Sequence, residues 1–139
     1  MDFVTENIAI GGAGAALFPS NEFDAVLDCA YEVPLAQCKP GLHLPLIDDD
    51  PIPERYLDLA VAFLDEQTKL GRRVLVHCMG GMSRSVGVVC AYLALKSGAP
   101  LDEVLREVQM RRPLANPADE VWQSVKRYVA ERSAPRARP

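Results

Sequence analysis

Three apolar residues, Val74-Leu75-Val76, run straight into His77-Cys78-Met79-Gly80-Gly81-Met82-Ser83-Arg84-Ser85, and an apolar run of helical length, Val86 to Lys96, follows at once. Such a chain has few options. The β-branched run belongs to a buried strand, the glycines to a tight loop, and the remainder to a helix entered at the arginine. A strand–loop–helix unit of this kind gathers the N–H groups of the loop and the positive end of a helix dipole at one point. Arg84 adds two parallel donors for phosphate oxygens. The same field favours thiolate over thiol at Cys78. An arginine in a first helical turn opposes the dipole, and a bound anion would offset that cost. The expected site is an anion trap that presents a nucleophile, Cys78, to a bound phosphoryl group. Met79, Gly80, Gly81, Met82, Ser83 and Arg84 would hold that group.

The rest of the chain reads as strands alternating with helices, which favours an α/β fold: a central, mostly parallel sheet of about four to five strands flanked by helices. Ile8-Ala9-Ile10 is a short strand stopped by Gly11-Gly12, and Gly12-Ala13-Gly14 reads as a turn. Buried strands are expected over Asp24 to Cys29, Leu42 to Leu46 and Arg73 to His77. Pro53 to Leu70 reads as a helix, with Pro53 in the first turn, Glu54 complementing the dipole and Gly71 at the stop. Ala60, Phe63, Leu64 and Gln67 mark its inner face. A second helix covers Arg84 to Ser97. Leu101, Val104, Leu105 and Val108 form the stripe of a third, ended by Pro113. A last helix runs from about Pro117 to Glu131.

At 139 residues with 49% hydrophobic content, one domain over residues 1–132 is expected, with a disordered tail at 133–139. No apolar stretch is long enough to span a membrane, and the acidic N-terminus lacks the features of a signal peptide. Cys29, Cys38, Cys78 and Cys90 show no zinc spacing, so a reduced, cytoplasmic setting is expected. The net charge of −4 argues against a general nucleic-acid binder, though not against a local phosphate site. A monomer is expected, with no membrane partner.

His-Cys, five residues, then Arg-Ser resembles the signature of the cysteine-based protein tyrosine phosphatases, their dual-specificity branch in particular. Gly81 falls on the family's glycine and Ser85 on its hydroxyl residue. Leu44-Pro45-Leu46-Ile47-Asp48, about thirty residues upstream of Cys78, resembles the segment carrying the family's general acid. Val108 to Asn116 resembles the family's helix end and following loop, and the likeness covers roughly residues 5 to 131. Gly80 departs from it, standing where an alanine is usual.

The resemblance implies a protein-tyrosine-phosphatase-like fold and a phosphomonoester hydrolase acting on phosphotyrosine, phosphoserine and phosphothreonine in proteins. The reaction would pass through a cysteinyl-phosphate and need no metal or other cofactor. Cys78 would be the nucleophile and Arg84 the phosphate clamp. Ser85 would ease departure of the thiolate, and Asp48 would be the general acid, with Asp49 the alternative register. Asp48-Asp49-Asp50-Pro51 also reads as a turn carrying a solvated charge run. Arg111 and Arg112 either close a helix, where positive charge is favoured, or form a second anion subsite. Asn116 fits the family's asparagine and equally a helix cap. His77 is expected to turn away from the thiol, because neighbours in a strand face opposite sides. Cys29, Cys38 and Cys90 read as structural, with a Cys29–Cys78 disulfide under oxidation as the alternative for Cys29. The absence of basic residues among positions 79–83 speaks against inositol-lipid substrates. The other candidates are a phosphate-binding pseudophosphatase, a nucleotide or RNA 5′-phosphatase, and sulfur-transfer or arsenate chemistry.

Overall fold

The computed structural model describes residues 1–17 and 20–133. Its sheet has five strands: β1 (Asp2–Phe3), β2 (Ile8–Gly11), β3 (Ala25–Asp28), β4 (Gly41–His43) and β5 (Val74–His77). They lie in the order β1-β2-β5-β3-β4, with only β1 antiparallel. The helices are α1 (Ala13–Leu17), α2 (Glu54–Lys69), α3 (Arg84–Ser97), α4 (Leu101–Arg111) and α5 (Asp119–Ser133). β5 is central because it is apolar from Val74 to Val76 and buried along its whole length, so that it can be covered on both faces. Its register sets Gly11, His77 and Asp28 level at the carboxyl ends of β2, β5 and β3. The loops leaving those three ends therefore meet at one edge, the usual place for a site in an open parallel sheet.

The two faces are covered unequally. Ile8, Ile10, Ala25, Leu27, Val74 and Val76 pack into the main core with the inner sides of α2 to α5. On the other face, among the described residues, Ala9, Leu75 and Phe23 form a smaller cluster against which Phe3 and Ala15 pack. Stacking of Phe3 on Phe23, with ring centroids 5.5 Å apart, completes that thin cover. α3 is the inner helix and is buried on every side from Arg84 to Tyr92, which explains its uniformly apolar sequence. It ends at Gly98, whose left-handed backbone lets its N–H reach the Ala94 carbonyl at 2.9 Å.

Several expectations need correction. The β4 ladder stops at His43 rather than Leu46, because Pro45 lacks an N–H and the chain turns there, Leu46 N–H donating to the Leu44 carbonyl at 2.8 Å. Gly12-Ala13-Gly14 is not a simple turn but the entry to α1. On α2, Leu57 joins Ala60, Leu64 and Gln67 as fully buried, while Phe63 is partly buried and packs at the border of the core. On α4, Val104 and Val108 are buried while Leu101 and Leu105 lie at its border. The last helix begins at Asp119, not Pro117, and continues through Ser133. The expected disorder at residues 134–139 lies outside the described residues. Among the described residues no helix is long and apolar enough to cross a membrane.

α3 and α5 pack closely at Gly87. A Cβ there would lie 2.8 Å from Val121 Cγ1 and 3.3 Å from Val125 Cγ2. Alanine gains about 1 kcal/mol over glycine in an open helix. Overpacking a tight core costs about 1–3 kcal/mol, and a buried valine has little rotamer freedom to yield. Gly87→Ala should therefore lower stability by about 1 kcal/mol in urea unfolding despite its better helix propensity. A stabilised variant would show that the contact relaxes freely.

Candidate active site

Cys78 leaves the end of β5 with 2% of its surface exposed. The five residues after it form a loop, and the carbonyls of the first four are engaged from outside. The Met79 carbonyl accepts from Ala13 N–H at 2.8 Å, and that of Met82 from Asn116 N–H at 2.8 Å. Arg112 donates through Nε to the Gly81 carbonyl at 2.7 Å and through Nη2 to the Gly80 carbonyl at 3.3 Å. Since a peptide's N–H points opposite its C=O, the loop amides are turned inward as an anion nest. Gly81 is required for this: its φ is +67°, and a Cβ would lie 2.5 Å from Arg112 Nη2 and 2.7 Å from the Gly11 carbonyl. Gly12 is equally tight, its Cβ position 2.8 Å from the Met79 oxygen.

The Cys78 sulfur lies 3.2 Å from Ser85 Oγ. Burial pushes the thiol upward, but the Ser85 hydroxyl and the backbone N–H groups of Ser85, Gly81 and Ser83 outweigh it and lower its pKa below the ordinary 9.0. His77 turns away, as expected. Its Nδ1–H donates to the Cys78 carbonyl at 3.3 Å, and its Nε2 faces buried Asp28 at 3.8 Å. Burial moves both groups toward their neutral forms, raising Asp28 and lowering His77. His43 Nε2–H donates to the Ala30 carbonyl at 2.8 Å, 3.5 Å from Asp28.

Arg84 is 1% exposed. Its Nη1 and Nη2 grip Glu32 end-on at 2.6 and 2.7 Å, and Nη1 also donates to the Leu46 carbonyl at 2.8 Å. Nε is buried and has no hydrogen-bond partner. Of the guanidinium's five N–H groups, the pair left over is Nε–H and the second Nη2–H. These lie parallel on one edge, the geometry that grips two phosphate oxygens. The Arg84 guanidinium holds Glu32 at a pKa of about 2, through that hydrogen-bonded pair against a modest burial penalty. Sequence reasoning missed Glu32. It lies just beyond the end of β3, and only the β3–β5 pairing shows that this end abuts the loop.

Asp48 is 60% exposed, with Oδ1 at 3.7 Å from Arg84 Nε. It lines a cleft of about 610 Å³ with Asp49, Cys78, Arg84, Asn116 and Asp119. Asp49 takes a left-handed φ of 63°, and Asp50 N–H closes the turn onto the Ile47 carbonyl at 3.2 Å. The turn and the placement at the cleft are thus both present. The second anion subsite is not: Arg112 is buried and committed to the loop carbonyls and to Asp2 at 2.9 Å, and Arg111 lies on the exposed surface outside the cleft. Nor does Asn116 cap α5. That entrance is held by Ser83, whose Oγ accepts from Ala118 N–H at 2.9 Å. All four cysteines are free. Cys29 is buried beside the site, and burial first, then the nearby Cys78, push its thiol well up. Cys90 lies in the core of α3, where burial raises it to about 12. Cys38 is exposed. Among the described residues no group of three His, Cys, Asp or Glu converges to hold a metal ion.

Two outcomes follow from these shifts. Alkylation of Cys78 by iodoacetamide, followed by mass spectrometry, should show a pH midpoint below 9.0, because the thiolate forms early and is lost as pH falls through the lowered pKa. Ser85→Ala should move that midpoint upward, and an unmoved midpoint would detach Ser85 from the sulfur. Glu32 has a folded pKa below its unfolded 4.5, so its contribution to stability is full above 4.5 and is lost as pH falls toward about 2. In Glu32→Gln, the decline of Tm across that window should be shallower than in the wild type.

Comparison with known proteins agrees with this geometry. Human dual specificity protein phosphatase 12 is 31% identical over 141 residues, covering 91% of this chain and 41% of the relative. Dual specificity protein phosphatase 1 of Arabidopsis thaliana is 48% identical over 64 residues, covering 46% of this chain and 32% of the relative. The chain thus spans roughly a third to two fifths of the length of these curated relatives. The crystal structure of human DUSP28 superposes with a TM-score of 0.86 at 25% identity, covering 96% of this chain and 95% of that one. The family model for the dual specificity phosphatase catalytic domain matches residues 11–131, and the chain belongs to that family.

Proposed function

We propose that the protein is a phosphoprotein phosphatase that hydrolyses phosphotyrosine, and more slowly phosphoserine and phosphothreonine, through a cysteinyl-phosphate. The observation that carries this reading is the edge of Arg84 without a hydrogen-bond partner, buried in the same cleft as the Cys78 thiol, whose pKa the loop amides and Ser85 lower. In the first step the Cys78 thiolate attacks phosphorus, forming S–P as the substrate's P–O bond breaks. The inward amides and the free Arg84 edge hold the three non-bridging oxygens throughout. Asp48 gives its proton to the leaving oxygen, then takes one from the water that cleaves S–P and releases phosphate. Ser85 Oγ stabilises the departing thiolate. The support for Asp48 over Asp49 is its carboxylate at 3.7 Å from Arg84, with Asp49 held in the turn's left-handed position.

Breadth toward phosphoserine is supported by the short connection between β3 and β4. Residues 29–40 form no helix or strand, and none of them lines the cleft. Phenolate is the better leaving group, so phosphotyrosine should be fastest.

Cys78→Ser should abolish turnover of an aryl phosphate while retaining binding. Asp48→Asn should slow turnover by about 10²–10⁴-fold. If Asp49→Asn alone has this effect, the acid is one residue later. Phosphopeptide turnover for tyrosine but neither turnover nor competition by serine and threonine peptides would restrict the activity to phosphotyrosine.

A further inference from the structure

The cleft around Cys78 is short of positive charge. Among its described lining residues Arg84 is the one cation, while Asp48, Asp49 and Asp119 are carboxylates. Arg84 is itself faced by Glu32, so its buried Nε–H edge enters an already balanced ion pair. The other arginine at the loop, Arg112, is turned into the fold and bonded to two loop carbonyls and Asp2. The loop's own outward side chains are the thioethers of Met79 and Met82, both about half exposed. The phosphoryl group is therefore held by neutral amides and one guanidinium edge, beneath a rim that is negative. Asp119 also complements the dipole of α5, but a full charge exceeds the roughly half charge of a helix terminus, and its sign prevails at the rim.

We propose that this cleft selects singly phosphorylated peptides carrying lysine or arginine beside the phosphoresidue, and turns away acidic and doubly phosphorylated ones. The proposal rests on the phosphopeptide reading above. An extended peptide rises about 3.3 Å per residue, so flanking side chains one or two places from the phosphoresidue pass over the rim. That distance is within the Debye length of about 8 Å at physiological salt. Charge at such a rim sets partner choice and on-rate more than it adds bulk affinity.

The test uses one phosphotyrosine peptide in three versions, with arginine, alanine or glutamate on both sides, and a fourth with a second phosphoresidue two places away. The expected order of kcat/KM is arginine, alanine, glutamate, with the doubly phosphorylated peptide no better than the glutamate one. Exposed charge pairs of this kind give about tenfold between the first and third. The ratio should shrink at about 1 M salt, where the Debye length is about 3 Å. Charge reversal by Asp119→Lys should narrow it too. The same order should hold for affinity to Cys78→Ser, which reads binding without turnover. Equal affinities there, or a ratio near one in the wild type, overturn the proposal, as does a ratio unchanged by Asp119→Lys. Turnover without the order leaves the phosphatase reading standing. Failure to turn over an aryl phosphate or any of the peptides overturns that reading, while the affinities still decide this one.

Discussion

The site depends on where the carbonyls of residues 79–82 point. A loop of five residues between a strand and a helix has many accessible conformations, and only some turn their amides to a common centre. Here the carbonyls are drawn outward by donors from three different parts of the chain: Ala13 at the start of α1, Arg112 at the end of α4, which takes two of them, and Asn116 before α5. A short helix, a buried arginine and an irregular connection thus act together on one loop. Each of those donors would otherwise be a polar group without a partner, so the fold and the site satisfy one another. The absence of a Cβ at Gly81 and Gly12 is what allows the approach, since both Cβ positions fall on neighbouring backbone. The same arrangement explains how an acidic chain can hold a dianion: the field comes from oriented dipoles and not from net charge.

Arg84 poses an energetic problem of its own. A guanidinium this buried would be strongly destabilising without a counterion, and one placed in a helix's first turn has the dipole against it. Glu32 answers both, and its end-on grip fixes the guanidinium plane so that the remaining edge faces the cleft. The pair is unequal in exposure, Glu32 retaining contact with solvent while Arg84 has almost none. Water therefore screens the carboxylate more than the guanidinium, which leaves the arginine some capacity for a second anion. Removal of the carboxylate would free the charge but also free its orientation.

Much of this was legible in the chain because it is local. The strand, loop and helix from Val74 to Ser97 fall within a residue of where β-branched content, glycine and apolar length set them. α2 likewise follows its proline, glutamate and glycine signals. What escaped notice is what depends on distant partners. Glu32 and Arg84 are 52 residues apart, and Arg112 and Asp2 are 110 apart. An arginine at a helix end looks the same in sequence whether it faces solvent, a ligand or a loop carbonyl. β1, two residues long, carries no periodic signal, and α1 is built of alanine and glycine with a terminal leucine. The entrance of α5 was misplaced because its donor is met by Ser83 from another element and not by a residue just before the helix.

The site also divides into a fixed part and a freer one. Cys78 and Arg84 are nearly inaccessible and tied to the central strand and the inner helix. Asp48 sits on an exposed turn whose next residue has a left-handed backbone. That turn is not loose at both ends. Four residues on, Ile52 is buried and its N–H donates to the Ser124 hydroxyl at 3.0 Å, which in turn donates to the Val121 carbonyl of α5. Ile52 also approaches the Gly87 contact between α3 and α5. Asp48 is thereby hung from the same helix pair that supports Arg84, held in register and yet open to water. Such a division suits the proposed two-step reaction, in which phosphorus must not move while the proton donor changes roles between the steps.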